Sequence, residues 1–315
     1  MKISDLFPSA DIEALRQIIN ASKRIVITCH LSPDGDALGS SLGLASLLAA
    51  IGKTVHVVTP DAPPSSLSFL PGFSSIVVAS MHTDPARGLI ANSDLIFCLD
   101  FNHLKRIDRL ADPIVRSSAR RVVIDHHLGP DIEADIVFSA PDRSSTSMLV
   151  YLIARQLGLS DMISRDAATC IMTGMITDTG NFAYNAEDPD LYLISAELVA
   201  RGVEKDRITR EVMRTYTLSR MRLNLFALSE RLTLFPEYGA ALIALTADDL
   251  RRFDYQKGDT EGLVNVPLGL PGVEVSVFLR EESEPGRIKV SSRSLGAYPA
   301  NRLCSEFFGG GGHVN

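Results

Sequence analysis

The sequence predicts an α/β protein: an N-terminal, mainly parallel sheet with helices on both faces, a helical connector, and a smaller mixed α/β C-terminal domain. Three observations predict this fold class. Short β-branched runs alternate with helical patterns in the first half of the chain, helical patterns dominate the middle, and strand patterns return after Pro236. Continuous apolar runs that alternate with helices are typical of parallel sheets, because the crossover helices cover both faces.

The predicted strands of the first half are apolar runs bounded by polar residues. They are Arg24–Cys29, Thr54–Thr59, Ile76–Ala79, Leu95–Asp100 and Arg121–Asp125. Helical patterns cover Met1–Ser22, Ala37–Ile51, Ser144–Gly158, Ser164–Thr177 and Pro189–Arg201. The helix start at Ser144–Thr146 fits simple N-capping about as well as it fits an anion site at exposed N–H groups.

A long helical pattern from Lys205 to Leu234 predicts a connector between two domains. We therefore expect an N-terminal domain over residues 1–204, the connector over 205–236, and a C-terminal domain over 237–315. In the last domain the predicted strands are Gly239–Leu245, Val273–Arg280 and Arg287–Arg293, with a hairpin through Glu284–Gly286 joining the last two.

Composition limits the classes of partner. The 315-residue chain has a formal net charge of −7 and no Lys/Arg block, which argues against tight binding to long duplex nucleic acid. The longest apolar stretch, Gly39–Gly52, is too short for a membrane span and contains serines. The four cysteines form no CxxC pair, as expected for buried thiols in a reducing cytoplasm. We expect a cytoplasmic protein without a membrane partner.

Polar residues that follow the predicted strands carry the chemistry. His30, Asp34 and Asp36 follow the first strand, and the other groups at element ends are Asp100, Asp125-His126-His127 and Asp178. Because strand ends meet at one edge of a parallel sheet, about five carboxylates and three histidines should share one cleft. Such a cluster requires cations, and carboxylate with imidazole suits Mn²⁺, Mg²⁺ or Zn²⁺. A pair of ions is the standard device for phosphate hydrolysis.

These motifs together resemble a known family. His30-xxx-Asp34-x-Asp36, Asp100, Asp125-His126-His127 and Asp178 are similar to the four ordered motifs of the DHH phosphoesterases. The segments Ser291–Ser294 and Gly309–His313 resemble the DHH-associated substrate domain. The chain is most similar to the oligoribonuclease/pAp-phosphatase branch, the nanoRNases, from about residue 20 to its last residue.

The resemblance implies a role for each metal-site residue. One ion would be held by His30, Asp34 and Asp100, and the other by Asp36, Asp100, His126 and Asp178, with Asp100 bridging. His127 would face the scissile phosphate or the leaving oxygen, and Asp125 would orient the imidazoles as a residue behind the ligands. Two divalent ions are implied, Mn²⁺ first, with Mg²⁺ or Co²⁺ as alternatives.

The resemblance also implies how substrate is held. Arg293 and His313 would bind its phosphates, and Gly310, Gly311 and Gly312 would let the backbone approach a nucleotide closely. The family pattern continues beyond this motif, so we expect the C-terminal domain to be incomplete at Asn315. A homodimer is a further implied option.

The implied activity is hydrolysis of short RNA or DNA oligonucleotides to mononucleotides, of pAp to AMP and phosphate, or both, by hydroxide activated at the two ions. Exopolyphosphatase and linear or cyclic dinucleotide phosphodiesterase activities remain alternatives within the superfamily. An alternative of another class is a non-catalytic nucleotide-binding module. That alternative would be favoured by a substituted ligand position, and none of the motif positions is substituted.

Overall fold

The chain divides into two compact units. A computed structural model describes residues 3–213, 217–256, 258–282, 286–295 and 298–310. The units are Met1–Arg214 and Thr215–Asn315, and their division lies inside the range predicted for the connector.

The first unit is built on a six-stranded sheet in which all pairs are parallel. Its strands are β1 (Arg24–Thr28), β2 (Thr54–Thr59), β3 (Val77–Val78), β4 (Leu95–Leu99), β5 (Arg120–Asp125) and β6 (Ile136–Ser139). The predicted parallel sheet is confirmed. The prediction lacked β6, a short edge strand in which only Phe138 is buried, so its apolar pattern is weak.

The order of the strands is β3-β2-β1-β4-β5-β6. The chain builds outward from β1 to β3 and then returns to place β4 on the other side of β1. The sheet therefore reverses its winding between β1 and β4, and ligands of open α/β sheets collect in the crevice at such a point, beyond the carboxyl ends of the strands.

Helices cover both faces of this sheet, as predicted. They are α1 (Ser9–Ala21), α2 (Gly35–Ala50), α3 (Thr83–Ala91), α4 (Ala111–Arg116), α5 (Thr146–Gln156), α6 (Arg165–Asp178), α7 (Pro189–Ala200) and α8 (Lys205–Met213). Ile25 and Ile27 of β1 face a core that includes α1, α2, α5, α6 and α7. Val26, between them, faces a second core with α3 and α4, because side chains alternate along a strand.

Helices α2 and α6 pack unusually closely, through glycines. A Cβ on Gly39 would lie 2.6 Å from the carbonyl oxygen of Cys170, and one on Gly35 would lie 2.4 Å from the Thr177 side chain. Backbone-to-backbone contact of this kind needs residues without a Cβ. The close packing brings the first turn of α2 next to the last turns of α6.

The second unit has a mixed four-stranded sheet in the order β10-β9-β8-β7, with one parallel pair, β8 with β9. Its elements are α9 (Leu218–Glu230), β7 (Leu232–Phe235), β8 (Ala240–Leu245), α10 (Ala247–Arg252), β9 (Val275–Glu281), β10 (Ile288–Ser294) and α11 (Ala300–Phe307). Strands β9 and β10 pair antiparallel, as the predicted hairpin requires, while residues 284 and 285 of the predicted turn lie outside the described residues.

The helical stretch predicted over Lys205–Leu234 is confirmed for most of its described residues and is wrong at its end. The structure has α8 in the first unit, α9 in the second, and then strand β7. Leu232 pairs with Ile243 of β8, and this strand pairing overrides the helical pattern of leucines that runs into it. Among the described residues, no helix is both long enough and apolar enough to cross a bilayer.

Candidate metal centre

The candidate centre lies where the sheet reverses its winding. His30 comes two residues after β1, Asp100 follows β4 directly, and Asp125 is the last residue of β5, with His126 and His127 next. The carboxyl ends of these three parallel strands therefore place their polar residues at one edge, as the sequence predicted.

Two helix ends complete the ring of side chains. Asp34 caps α2, its Oδ1 accepting hydrogen bonds from the N–H groups of Asp36 and Ala37 at 3.0 Å each. Asp36 stands in the first turn of the same helix, and Asp178 is the last residue of α6. The close packing of α2 against α6 brings these two carboxylates to the same place.

Asp100 lies at the middle of the cluster. Its side chain is 2% exposed, and its φ of 63° is in the left-handed region, which non-glycine residues adopt at a cost of about 1–3 kcal/mol. Its Oδ2 lies 3.4 Å from His30 Nε2, and its Oδ1 lies 3.6 Å from His126 Nε2. The two oxygens of one carboxylate thus face two different histidines.

Around Asp100 the ligand atoms form three overlapping groups, of which the third is Asp100, His126 and His127. The first is His30, Asp34 and Asp100, with 3.6 Å between His30 Nε2 and Asp34 Oδ2. In the second, His126 Nε2 lies 3.3 Å from Asp178 Oδ2 and 4.0 Å from Asp36 Oδ2. All six residues predicted as metal ligands are therefore brought together, with Asp100 in their middle, and the division of these ligands between two ions stays a prediction.

The ring orientations of the two ligand histidines suit metal binding. His30 Nδ1 lies 2.8 Å from the carbonyl oxygen of Leu31, and His126 Nδ1 lies 3.2 Å from that of Arg143. A carbonyl oxygen can only accept, so each Nδ1 carries the proton. Each Nε2 faces the carboxylates, and a ligand histidine is commonly held through its other nitrogen in this way.

His127 has a different environment from its neighbour. Its Nδ1 donates to Asp125 Oδ1 at 2.7 Å, and Asp125 is fully buried. Its ring lies edge to face against that of His126, with 4.9 Å between the centroids. A buried carboxylate on Nδ1 fixes the orientation of the ring, so Nε2 is the nitrogen able to exchange a proton with a substrate.

The electrostatics of the cluster call for cations. Burial, with the charges of Asp100 and Asp178, raises the pKa of Asp36 well above its usual range. Burial raises the pKa of Asp178 to about 7. Burial alone would lower the imidazole pKa values, but the carboxylates outweigh it and raise that of His30 to about 10 and that of His126 to about 9. Without a metal, protons on these groups must balance the excess negative charge.

The donor set fits divalent ions. Carboxylate oxygens and imidazole nitrogens suit Mn²⁺, Mg²⁺ or Zn²⁺, and the ligand atoms within each group lie within 4.8 Å of one another. His30, Asp34 and Asp100 would hold one ion, and Asp36, His126 and Asp178 the other, with the second oxygen of Asp100. The buried carboxylates and the orientation of both histidines are the observations that support this fit.

Sequence reasoning did not identify the role of α5, whose first turn supports the centre. The N–H groups of Thr146 and Ser147 donate to Asp36 Oδ2 and Oδ1 at 2.7 and 2.9 Å. The Thr146 hydroxyl donates to Asp100 Oδ1 at 3.0 Å, and Ser145 caps the helix. The segment Ser144–Thr146 therefore both caps helix α5 and presents N–H groups to an anion, and that anion is the carboxylate of Asp36. In the sequence, the Ser-Ser-Thr start of this helix was the signal from which the supporting role of α5 could have been inferred.

The predicted substrate residues belong to the second unit. Arg293 lies on β10 with an exposed side chain, and its Nη1 donates to the carbonyl oxygen of Ser292 at 3.0 Å. Gly310 follows α11 and donates its N–H to the carbonyl oxygen of Cys304 at 3.0 Å. Gly311, Gly312 and His313 lie outside the described residues. Binding of substrate by this set remains a prediction.

The HxxxDxD motif, Asp100, the DHH motif and Asp178 meet where the parallel sheet reverses its winding. This combination of fold and site defines the class of the protein. Residues 24–175 match the DHH family, N-terminal domain, and the chain belongs to the DHH family. The resemblance found in the motifs is therefore confirmed.

Individual relatives cover most of the chain. It is 31% identical over 290 residues to the bifunctional oligoribonuclease and PAP phosphatase NrnA of Thermus thermophilus. The aligned region covers 92% of this chain and 82% of that protein. It is 28% identical to the probable bifunctional oligoribonuclease and PAP phosphatase NrnA of Streptococcus mutans, over 93% of this chain and 88% of that protein. Among solved structures, an exopolyphosphatase-related protein from Bacteroides fragilis is 44% identical, with a TM-score of 0.95 over 99% of this chain and 91% of that one.

Proposed function

We propose that this protein is a metal-dependent phosphoesterase that hydrolyses short oligonucleotides to mononucleotides and pAp to AMP and phosphate. The observation that carries the proposal is the arrangement of more than one ligand group around Asp100, with the ring of His127, a member of one group, oriented by Asp125. A single structural ion would need only one such group, and it would not need an oriented histidine next to it.

The relatives support the substrate class. Two of them, at 31% and 28% identity over most of both chains, are named as oligoribonuclease and PAP phosphatase or as probably so. The substrates of both activities are small nucleotides with a phosphate ester near an end. The formal net charge of −7 agrees with a short substrate held at a local site, rather than a long strand held along a basic surface.

The chain's own residues supply positioning and proton transfer. Asp125 fixes the ring of His127, and His127 Nε2 gives a proton to the leaving oxygen as the bond between phosphorus and that oxygen breaks. Water provides the new oxygen on phosphorus, and its released proton passes to solvent, from which His127 is reprotonated. Two divalent ions, for which we propose Mn²⁺, would lower the pKa of the attacking water and neutralise phosphate charge when bound. Arg293 would bind a substrate phosphate.

The test is hydrolysis by purified protein with Mn²⁺. Separate reactions contain pAp, an RNA dinucleotide, an RNA pentanucleotide, a long RNA strand, pyrophosphate and polyphosphate. We expect mononucleotides from the short RNAs and phosphate from pAp. His126→Ala should abolish these products, whereas the matched variant His82→Ala, at an exposed residue before α3, should leave them unchanged.

Other outcomes would change the assignment. Turnover of polyphosphate alone would favour the exopolyphosphatase alternative, which the name of the Bacteroides fragilis relative also raises. Ion binding without turnover of any substrate would refute catalysis and favour the nucleotide-binding module. Activity that survives His126→Ala would refute the proposed centre.

A further inference from the structure

The segment Arg143–Ser147 supports the two ligand groups unequally. The Arg143 carbonyl oxygen accepts a hydrogen bond from His126 Nδ1 at 3.2 Å. The backbone N–H groups of Thr146 and Ser147 donate hydrogen bonds to the Asp36 carboxylate. The Thr146 hydroxyl then reaches Asp100 Oδ1, the oxygen on the His126 side. Each of these hydrogen bonds goes to the group of Asp36, His126 and Asp178 or to the Asp100 oxygen that faces it.

The other ligand group is held by different parts of the chain. Asp34 is held by the N–H groups at the start of its own helix, α2, and His30 Nδ1 by the neighbouring Leu31 carbonyl oxygen. These contacts are local in sequence, whereas Thr146 lies 46 residues from Asp100 and 110 residues from Asp36. Apart from Asp100, which both groups share, the two ligand groups are therefore held by different hydrogen bonds.

We infer that Thr146 is a positioning residue that sets the second metal site, that of Asp36, His126 and Asp178, while leaving the first largely intact. The inference rests on the proposed two-ion centre. The hydroxyl occupies one lone pair of Asp100 Oδ1, the oxygen on the His126 side, and so defines the lone pair that Oδ1 keeps for an ion, whereas Oδ2 faces His30. Partners behind metal ligands typically change metal affinity about 10–100-fold when removed.

Helix capping does not explain this hydroxyl. The cap of α5 is Ser145, whose Oγ accepts from the Met148 N–H at 3.1 Å. Thr146 is fully buried, and its hydroxyl points to a carboxylate instead of to the helix backbone. A buried donor aimed at a buried carboxylate makes a charge-assisted hydrogen bond, which is stronger than a neutral one.

The segment Arg143–Ser147 also contacts helix α7. The Arg143 guanidinium forms an ion pair with Asp188, the residue that caps α7, and lies 3.9 Å from Asp190. These contacts join the segment to the start of α7.

The experiment compares metal binding by the full-length chain and its variants. Metal-stripped wild type, Thr146→Val and Thr146→Ser are titrated with Mn²⁺ by calorimetry, and the loaded proteins are examined by electron paramagnetic resonance for a spin-coupled Mn²⁺ pair. Thr173→Val is the matched control, because Thr173 is also a fully buried helical threonine but donates to the carbonyl oxygen of Thr169.

We expect Thr146→Val to weaken the second Mn²⁺ about 10–100-fold and to remove the coupled signal, with the first Mn²⁺ unchanged within about twofold. Thr146→Ser should restore both, and Thr173→Val should behave as wild type. Thr146→Ala gives the same comparison if the valine variant does not fold, as judged by circular dichroism.

Unchanged binding by Thr146→Val, or equal weakening of both ions, would overturn the inference. These results differ from a failure of the proposed function, in which the wild type itself would bind fewer than two ions or would bind two without turnover of any substrate.

Discussion

Replacing Gly174 with alanine tests how closely α6 must approach the centre. An ideal Cβ there would lie 1.9 Å from Ser147 Oγ, 2.6 Å from Asp36 Oδ1 and 2.7 Å from Ser147 Cβ. The Ser147 hydroxyl can rotate away. Its Cβ cannot, because the Ser147 backbone N–H holds Asp36.

The magnitude follows from these distances. Relief requires a separation of about 0.7 Å, the difference between an ordinary 3.4 Å contact and the 2.7 Å to Ser147 Cβ. Overpacking of this kind typically costs about 1–3 kcal/mol, partly offset by the roughly 1 kcal/mol that alanine gains over glycine in a helix. We therefore expect Gly174→Ala to lower the free energy of unfolding by up to about 2 kcal/mol without metal.

The same displacement moves Asp36 away from the N–H groups of α5. We therefore expect the second Mn²⁺ to bind at least about tenfold more weakly to Gly174→Ala. Urea unfolding followed by circular dichroism, with chelator and then with Mn²⁺, measures the first effect, and calorimetric titration measures the second.

Gly88→Ala is the matched control. Gly88 is also a helical glycine, in α3, but nothing lies within 4 Å of its ideal Cβ. That variant should gain about 0.5–1 kcal/mol in stability and bind metal normally. If Gly174→Ala were as stable as Gly88→Ala and bound two ions with wild-type affinity, the close approach of α6 to Asp36 would not be required, and the reasoning would be refuted.

Two further predictions concern catalysis and pH. His127→Asn should lower kcat for pAp about 10²–10⁴-fold while Mn²⁺ binding, measured by calorimetry, stays unchanged; lost metal binding instead would make His127 a ligand. The Mn²⁺ affinity should rise with pH from 6 to 8, by about tenfold per unit for each proton released. This is because Asp178, with a pKa of about 7, and His126, with a pKa of about 9, must both lose a proton to bind metal. Calorimetry in buffers of different ionisation enthalpy counts the protons, and a pH-independent affinity without proton release would contradict the assignment.

The sequence was sufficient to predict which side chains meet at the centre, because several of them are local features of strand ends. His30 and Asp100 each follow an apolar run, and a parallel sheet has only one edge at which such runs can end. Asp178 was predicted from different evidence. It is an acidic residue at the end of a helical pattern, and it occupies the last place in the order of motifs.

The support from α5 could not be predicted in this way. Thr146 meets Asp36 and Asp100 only because α5 and α2 are brought together over a large sequence separation, and no local pattern encodes that contact. Strand β7 was missed for a similar reason, since Leu232 becomes a strand residue only through its pairing with Ile243. Helical periodicity, a local signal, gave the wrong element there.

The conformation of Asp100 makes the centre a source of instability until it is filled. A left-handed aspartate and buried carboxylates with raised pKa values oppose folding of the metal-free chain. Ions that bind only the folded state reverse this, by an amount that grows with their concentration. The supply of divalent ions would then govern how long the polypeptide survives proteolysis as well as how fast it turns over substrate, so metal starvation would reduce the abundance of the protein as well as its activity.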